Sequence, residues 1–505
     1  MAIGHFMNLK RVVFTLIWFF FVCLAQAKET KQPNIIFLFT DDQNTYSLGC
    51  YGNDDVVTPN IDSLARDGVT FDRHYTVTAI CMASRATVMT GLYEYRHGCN
   101  FGHGPLHEDL WKQSYPMILR EHGYLTAIAG KIGFEVLPEG EQNAILPKDD
   151  FDWWGAGPGQ TSYRTKQNVS MTEYAEEFPH SSRSYGAFGR DFIHHATKED
   201  KPFCLSISFK APHKPDQVDP MFNHIYEGKA FKKPANYGRE FSDQFSRQSK
   251  TGRQYERFQS WGYQDDYDNQ MRLYNQLVYA VDSAVGMLRQ AVKDAGIADN
   301  TVFIFTSDNG FFCGAHGYGS KVLPYEEGSR VPLIIFDPRH ENSGKQLRVD
   351  AITGSIDFVP TILRFAGLNA PRGIDGRDLM PLYDDTESSI HEYLELINVW
   401  GPRSCQSYGV VGQDYKYIYW PYESGDFEAT EELFRLSADP LELKNLVLTK
   451  EAPKDLRRLQ KVYDSRVKKW GAQAVNYNDY APYRKIFDRN IPWTPNFAPG
   501  EPAWK

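Results

Sequence analysis

Cys81 and Arg85 stand four residues apart in the run Thr78-Ala79-Ile80-Cys81-Met82-Ala83-Ser84-Arg85-Ala86-Thr87-Val88-Met89-Thr90-Gly91. Polar Ser84 and Arg85, an apolar stretch and a closing Gly91 read as a loop entering a short helix. Cys81 then lies near a helix N-terminus with a guanidinium one turn later. Such a place lowers the cost of negative charge on the sulfur or on a bound anion. Elsewhere the chain offers oxygen donors in adjacent pairs, Asp41-Asp42 and Asp308-Asn309. Carboxylate and amide oxygens without a thiolate or His cluster suit a hard cation, Ca²⁺ or Mg²⁺, and disfavour zinc. Lys131, Lys321 and His213 add two cations and a proton carrier.

Most of these groups follow an apolar run. Asn34 to Phe39 ends in Thr40-Asp41-Asp42-Gln43, and Gly123 to Ala129 ends in Gly130-Lys131. Phe203 to Phe209 ends in Lys210-Ala211-Pro212-His213, and Thr301 to Ser307 delivers Asp308-Asn309-Gly310. Continuous apolar runs are how strands read when a mostly parallel sheet is covered on both faces. In such a sheet the carboxyl ends of the strands share one edge, where ligands bind. The sequence therefore predicts an α/β fold whose edge collects the polar residues. A fifth strand is expected at Val331–Phe336, and helices at Pro59–Asp67, near 185–197, and through Leu273 and Leu288 to Gly296. The Gly-, Trp- and Pro-rich stretch 140–200 reads as substrate-facing loops, and the polar, aromatic insertion 216–264 as a lid or groove wall.

Beyond residue 385 the texture changes. Short aromatic strands are expected at 408–411, 415–420 and 432–434, then a charged helix near 451–470. The predicted organisation is a catalytic domain over 28–385, a smaller C-terminal α+β subdomain with an antiparallel sheet over 386–480, and a tail over 481–505. A net charge of -9 over 505 residues argues against nucleic acid as the main partner. Lys10-Arg11, the apolar run Val12–Leu24 and Ala25-Gln26-Ala27 form a cleavable signal peptide over 1–27. Its apolar run is shorter than the ~20 residues of a membrane span. The mature protein is thus expected to be secreted or periplasmic, with no stable membrane span. Of seven cysteines, removal of Cys23 with the signal leaves six, whose spacing assigns no disulfide. Asn168-Val169-Ser170 is a glycosylation acceptor only in a eukaryotic host.

The order Cys81-x-Ala83-x-Arg85 followed by Thr90-Gly91 resembles the signature of type I sulfatases, the formylglycine-dependent branch of the alkaline-phosphatase-like superfamily. Asp308-Asn309-Gly310, His316-Gly317, Lys321 and Tyr325-Glu326-Glu327-Gly328-Ser329-Arg330-Val331-Pro332 look like that family's second block. Asp375-Gly376-Arg377-Asp378-Leu379, Leu433-Phe434, Asp439-Pro440 and Asn445-Leu446 look like its later blocks. The resemblance implies an alkaline-phosphatase-like fold and a Cys81 oxidised to formylglycine by a formylglycine-generating or radical maturation enzyme. It implies one Ca²⁺ (Mg²⁺ possible) held by Asp41, Asp42, Cys81, Asp308 and Asn309. The implied cycle passes through a covalent sulfo-enzyme and expels sulfate from a geminal diol. Arg85 would hold the nucleophile, Lys131 and Lys321 would neutralise the sulfuryl oxygens, and His213 would protonate the departing alcohol. The family commonly places a His two or three residues after the lysine matching Lys131, as base for the second step; here those positions are Gly133 and Phe134. Glu135, His103, His107 and His316 are the alternatives. The implied substrate is a sulfated carbohydrate. A phosphodiesterase or phosphonate monoester hydrolase with the same nucleophile is one competing reading, and a non-catalytic glycan-binding relative, if Cys81 is never oxidised, is another.

Overall fold

The computed structural model describes residues 31–495. The signal-peptide reading and the last part of the tail fall outside them. The main sheet is built from β1 (Asn34–Thr40), β2 (Val69–Tyr75), β3 (Leu125–Lys131), β4 (Trp153–Gly157), β5 (Phe203–Ser208), β6 (Thr301–Ser307), β7 (Arg330–Phe336), β8 (Leu347–Val349) and the short β9 (Thr353–Gly354). Their order is β8-β2-β7-β6-β1-β5-β3-β4, with β9 beside β2. β1 pairs in parallel with β5 and β6, and β3 in parallel with β4 and β5. β7 alone runs against both neighbours, β2 and β6.

β1 shows why its sequence is apolar throughout. Ile36 and Leu38 face one core, beneath α3 (Ser181–Ala196) and α5 (Tyr267–Asp294). Ile35, Phe37 and Phe39 face the other, shared with α2 (Cys81–Thr90) and α6 (Phe358–Phe365). The period-2 alternation of a strand thus spends every residue on a core. α1 (Pro59–Asp67) packs on α5. Asp282 of α5 accepts the backbone N–H groups of Asn60 and Ile61 at 2.9 and 2.8 Å, serving donors that a helix start leaves unpaired.

The antiparallel course of β7 has a use. Because it starts at the edge where β1, β3, β5 and β6 end, the loop before it, with Lys321, arrives at that edge. β2 also ends there, so the segment after Tyr75 enters the N-terminus of α2 at Cys81.

The C-terminal part forms a second, antiparallel sheet of β10 (Tyr393–Asn398), β11 (Ser407–Gly412), β12 (Tyr415–Trp420) and β13 (Thr430–Arg435), packed by α7 (Pro453–Gln473). The first strand, β10, was not legible in the sequence. Its Ile397 N–H donates to Val77 O at 2.8 Å, tying this sheet to the segment leading into Cys81. The described start of the tail packs on this subdomain: Tyr483, Ile486 and Phe487 are buried, and Tyr463 Oη donates to Phe487 O at 2.6 Å. Asn168 is also engaged, exchanging two 2.8 Å hydrogen bonds with the Ser162 backbone, so its amide works as a turn lock. Among the described residues all six cysteines are free, and no helix is long and apolar enough to cross a membrane.

A buried charge cluster joins the two sheets. Lys416 of β12 sits 2.8 Å from both Glu326 and Glu442. Burial raises Glu326, but Lys416 and Arg330 outweigh it and hold it below the usual range. Burial pushes Glu442 up; Lys416 opposes, but with the repulsion of Glu326 and Glu327 the carboxyl still stands at about 8. Its native affinity for a proton exceeds that of the unfolded chain. The resulting stability is therefore fully present below about pH 4.5 and is lost as pH rises through about 8. Glu442→Gln is expected to remove this alkaline loss, checked by denaturant unfolding of both proteins across that range.

Candidate active site

Asp41 and Asp42 follow β1 directly, and Asp308 and Asn309 follow β6 directly. The parallel register Thr40↔Ser307 sets the two pairs side by side. Asp308 N–H donates to Thr40 O at 3.0 Å, and Asp42 N–H to Asp308 Oδ1 at 3.3 Å. Asp42 adopts φ 67°, a left-handed conformation that a non-glycine residue keeps only under restraint. The Tyr274 hydroxyl supplies part of that restraint, donating to Asp42 O at 2.7 Å.

Three cations meet these carboxylates at the buried end of the sheet. Lys131, last residue of β3, is ion-paired with Asp41, and Lys321 with Asp42; Lys321 also lies 3.5 Å from Asp41 Oδ1. Arg85 Nε donates to Asp308 Oδ2 at 2.8 Å. Asp41, Asp308 and Lys131 are wholly buried. Buried charges at this density persist only when paired, and the pairing sorts the carboxyls. Burial raises Asp41, yet Lys131 and Lys321 outweigh it and hold it well below the usual range. Asp42 is raised by burial against the pull of Lys321, with Asp41 adding to the rise. Burial and then the charge of Asp41 bring Asp308 to about 6.

Cys81 opens α2 with its sulfur 2.6 Å from Lys321 Nζ and 3.3 Å from Asp41 Oδ1. The helix start does not lower the thiol. Burial, reinforced by Asp41, outweighs the two lysines and pushes the thiol up to about 12. Arg85 does not turn to the sulfur either. Its Nη1 donates to Lys131 O at 2.6 Å and Ser208 Oγ at 2.5 Å, so it clamps β3 and β5 to the Asp308 loop. Its Nη2 is buried without a hydrogen bond, 3.8 Å from Asp41 Oδ2.

The donors fit a hard cation. Ligand atoms of Asp41, Asp42, Cys81 and His213 all lie within 4.8 Å of one another. Asn309 Nδ2 donates to Asp42 Oδ1 at 2.7 Å, which leaves Asn309 Oδ1 buried and unpaired beside them. His213 lies against this donor group. Its Nδ1 faces Lys214 O, its Nε2 lies 3.8 Å from Asp42 Oδ2, and burial holds the ring well below the ordinary imidazole range.

The alternatives for a second base lie elsewhere. His103 packs at a tilt against Tyr480, and His107 stacks on Tyr477. His316 is held by Asn236 and the Phe241 carbonyl, and Glu135 is exposed. At Gly133 (φ 86°) an added Cβ would come within 2.4 Å of Arg85 Cδ, so the arginine stem fills the space of a side chain there. His213 is the histidine the structure brings to the cluster.

Asp42, His213 and Lys321 open onto a cavity of about 820 Å³, whose far wall is α4 (Arg253–Ser260) and Trp261, part of the 216–264 insertion. Arg253, Arg257 and Trp261 have no motif around them, and sequence reasoning did not single them out.

The Sulfatase family model matches residues 33–368, and the model described as N-sulphoglucosamine sulphohydrolase, C-terminal, matches residues 314–469. The chain is 28% identical to an N-acetylglucosamine-6-O-sulfatase of Bacteroides thetaiotaomicron, over 88% of each protein. It is 25% identical to an ulvan-active sulfatase of Formosa agariphila, over 95% of this chain and 90% of that one. A solved structure of a protein in complex with its substrate D-glucosamine-2-N,6-O-disulfate superposes with a TM-score of 0.71 at 26% identity, over 89% of this chain and 99% of that one. A family match across most of the chain, on an alkaline-phosphatase-like architecture, leads to one conclusion: the chain belongs to the sulfatase family and is a sulfuric ester hydrolase.

Proposed function

We propose that the protein is an exported sulfatase that hydrolyses a sulfate ester on a sulfated carbohydrate, with Cys81 oxidised to formylglycine and one Ca²⁺ or Mg²⁺ bound by Asp41, Asp42, Asp308 and Asn309. One observation carries the reading: groups 40 to 280 residues apart in the chain meet at one sheet edge around Cys81. Relatives that act on N-acetylglucosamine 6-sulfate, ulvan and a disulfated glucosamine support a sugar as the carrier of the ester.

A separate maturation enzyme, supplying the oxidant, would convert the CH₂–SH of Cys81 to an aldehyde with loss of the sulfur, and hydration would then present a hydroxyl near the place the sulfur holds. A bound divalent cation would polarise that hydroxyl and one sulfate oxygen. Asp41, Asp42 and Asp308 are matched in number by Arg85, Lys131 and Lys321, so a cation leaves the site net positive for an anionic ester. Lys131 and Lys321 reach the sulfur's surroundings and stabilise charge spread over the sulfuryl oxygens. Arg85 keeps Asp308 aligned. His213, at the cavity mouth, protonates the departing alcohol once the anionic ester is bound, because that negative charge opposes the burial that otherwise disfavours the protonated ring.

Lys321→Ala is expected to lower kcat/KM by about 10²–10³-fold, the cost of one lost charge-stabilising donor, checked with the oxidised enzyme. The function itself is tested by parallel assays on N-acetylglucosamine 6-sulfate, D-glucosamine-2-N,6-O-disulfate, a phosphodiester and a phosphonate monoester. Release of sulfate from a sugar is expected. Turnover of the phosphorus esters alone would replace the reading.

A further inference from the structure

Across the cavity from the acidic cluster, α4 presents Arg253 and Arg257 one turn apart on the same wall. Like charges at this spacing repel and weaken a helix. Among the described residues neither guanidinium is within ion-pair distance of a carboxylate. What they have instead are flat aromatic supports. The Arg253 guanidinium lies 4.4 Å from the Trp400 ring centroid, and that of Arg257 lies 4.1 Å from Trp261. Arg257 Nη1 also donates to Ser320 Oγ at 3.1 Å. Stacking on indole fixes the plane of a guanidinium and leaves its charge and its forked donors available.

The supports are tied to the reaction centre. Trp400 packs with Ile80, Ala83 and Val322, the near neighbours of Cys81 and Lys321 in the chain. Ser320 precedes Lys321. Arg253 faces solvent and Arg257 is half-buried. Burial, and then the charge of Arg253, bring Arg257 down to about 10, so it is still a cation at neutral pH, with a second guanidinium one turn away. An oxyanion between them relieves that repulsion and matches the planar fork geometry.

We propose that Arg253 and Arg257 form a subsite for a second anionic group, a sulfate or a carboxylate, on the same sugar substrate whose sulfate ester is cut at Cys81. The inference rests on the sulfated-carbohydrate reading. It makes the enzyme selective for saccharides bearing two neighbouring anions.

The test compares substrates that differ in one anion. N-acetylglucosamine 6-sulfate against D-glucosamine-2-N,6-O-disulfate varies a sulfate. A sulfated unsaturated uronyl disaccharide against its methyl ester varies a carboxylate. The oxidised enzyme is expected to favour the two-anion member of one pair by about 10- to 100-fold in kcat/KM, the range of one net charge-assisted hydrogen bond. Which pair responds identifies the anion. In the double variant Arg253→Gln, Arg257→Gln that ratio should fall toward one, and in Arg253→Lys, Arg257→Lys it should fall part of the way. A general folding defect lowers both members and leaves the ratio alone. No preference in the unmodified enzyme, or a ratio unchanged in the Gln variant, would overturn the subsite. Calorimetric binding of the same saccharides to the Cys81→Ala protein reads the preference without turnover. If no sulfate ester is cleaved but this binding preference depends on the arginines, the hydrolytic reading fails and the subsite stands.

Discussion

Substituting Ala for Cys81 is expected to lower turnover of a sulfated substrate by about 10⁴-fold or more, the scale seen when a nucleophile is removed from a cooperating site. Cys81 is buried between Asp41 and Lys321 and opens α2. Ala removes the sulfur and its aldehyde derivative without disturbing the helix, since no residue favours a helix more. Circular dichroism and the melting temperature should therefore stay close to those of the parent protein. The unoxidised parent should be nearly as inactive. With the thiol raised to about 12, a negligible fraction is thiolate at neutral pH, and the neutral thiol is a poor nucleophile. Comparable activity in the Ala variant would remove Cys81 from the chemistry altogether.

The second large effect concerns Asp41. Its Oδ2 faces Lys131 and its Oδ1 lies within reach of Lys321 and Cys81. Asp41→Asn keeps the shape and removes the charge. Metal affinity is expected to fall by about 100-fold or more, beyond the 10- to 100-fold typical of residues that only support a ligand, with a matching loss of kcat/KM. Elemental analysis after dialysis and a metal titration of activity check this. Asp41→Ala should in addition destabilise the fold by about 3–5 kcal/mol, because two buried lysines lose a shared partner. An Asn variant with full metal content and full activity would take Asp41 out of the cation site.

Much of this edge was legible in the chain because a strand buried on both faces tolerates only apolar residues. Its end is therefore marked wherever a charge appears, as at Asp41, Lys131 and Asp308. The bounds of α1, with Pro59 at its first position and Gly68 past its end, were equally plain. Thr58, however, makes no side-chain cap there, and Asp282, 222 positions after Asn60, does that work instead. What escaped depends on contacts rather than pattern. The state of the Cys81 thiol follows from burial and from Asp41, 40 positions earlier, and no local rule contains that pair. The direction of β7 was hidden because an antiparallel strand between buried neighbours is as apolar as a parallel one. β10 was masked by polar flanks, although Leu394, Leu396 and Ile397 are buried. Arg253 and Arg257 sit in a polar insertion where charged residues are ordinary, and their meaning comes only from the cavity they share with Lys321.

Mass spectrometry of the peptide containing Cys81, taken from the same preparation used for assay, tests the mechanism most directly. Specific activity on a sulfated sugar should rise in proportion to the fraction carrying an aldehyde in place of the thiol and extrapolate to zero where none does. Full activity from protein whose Cys81 is wholly thiol would contradict it.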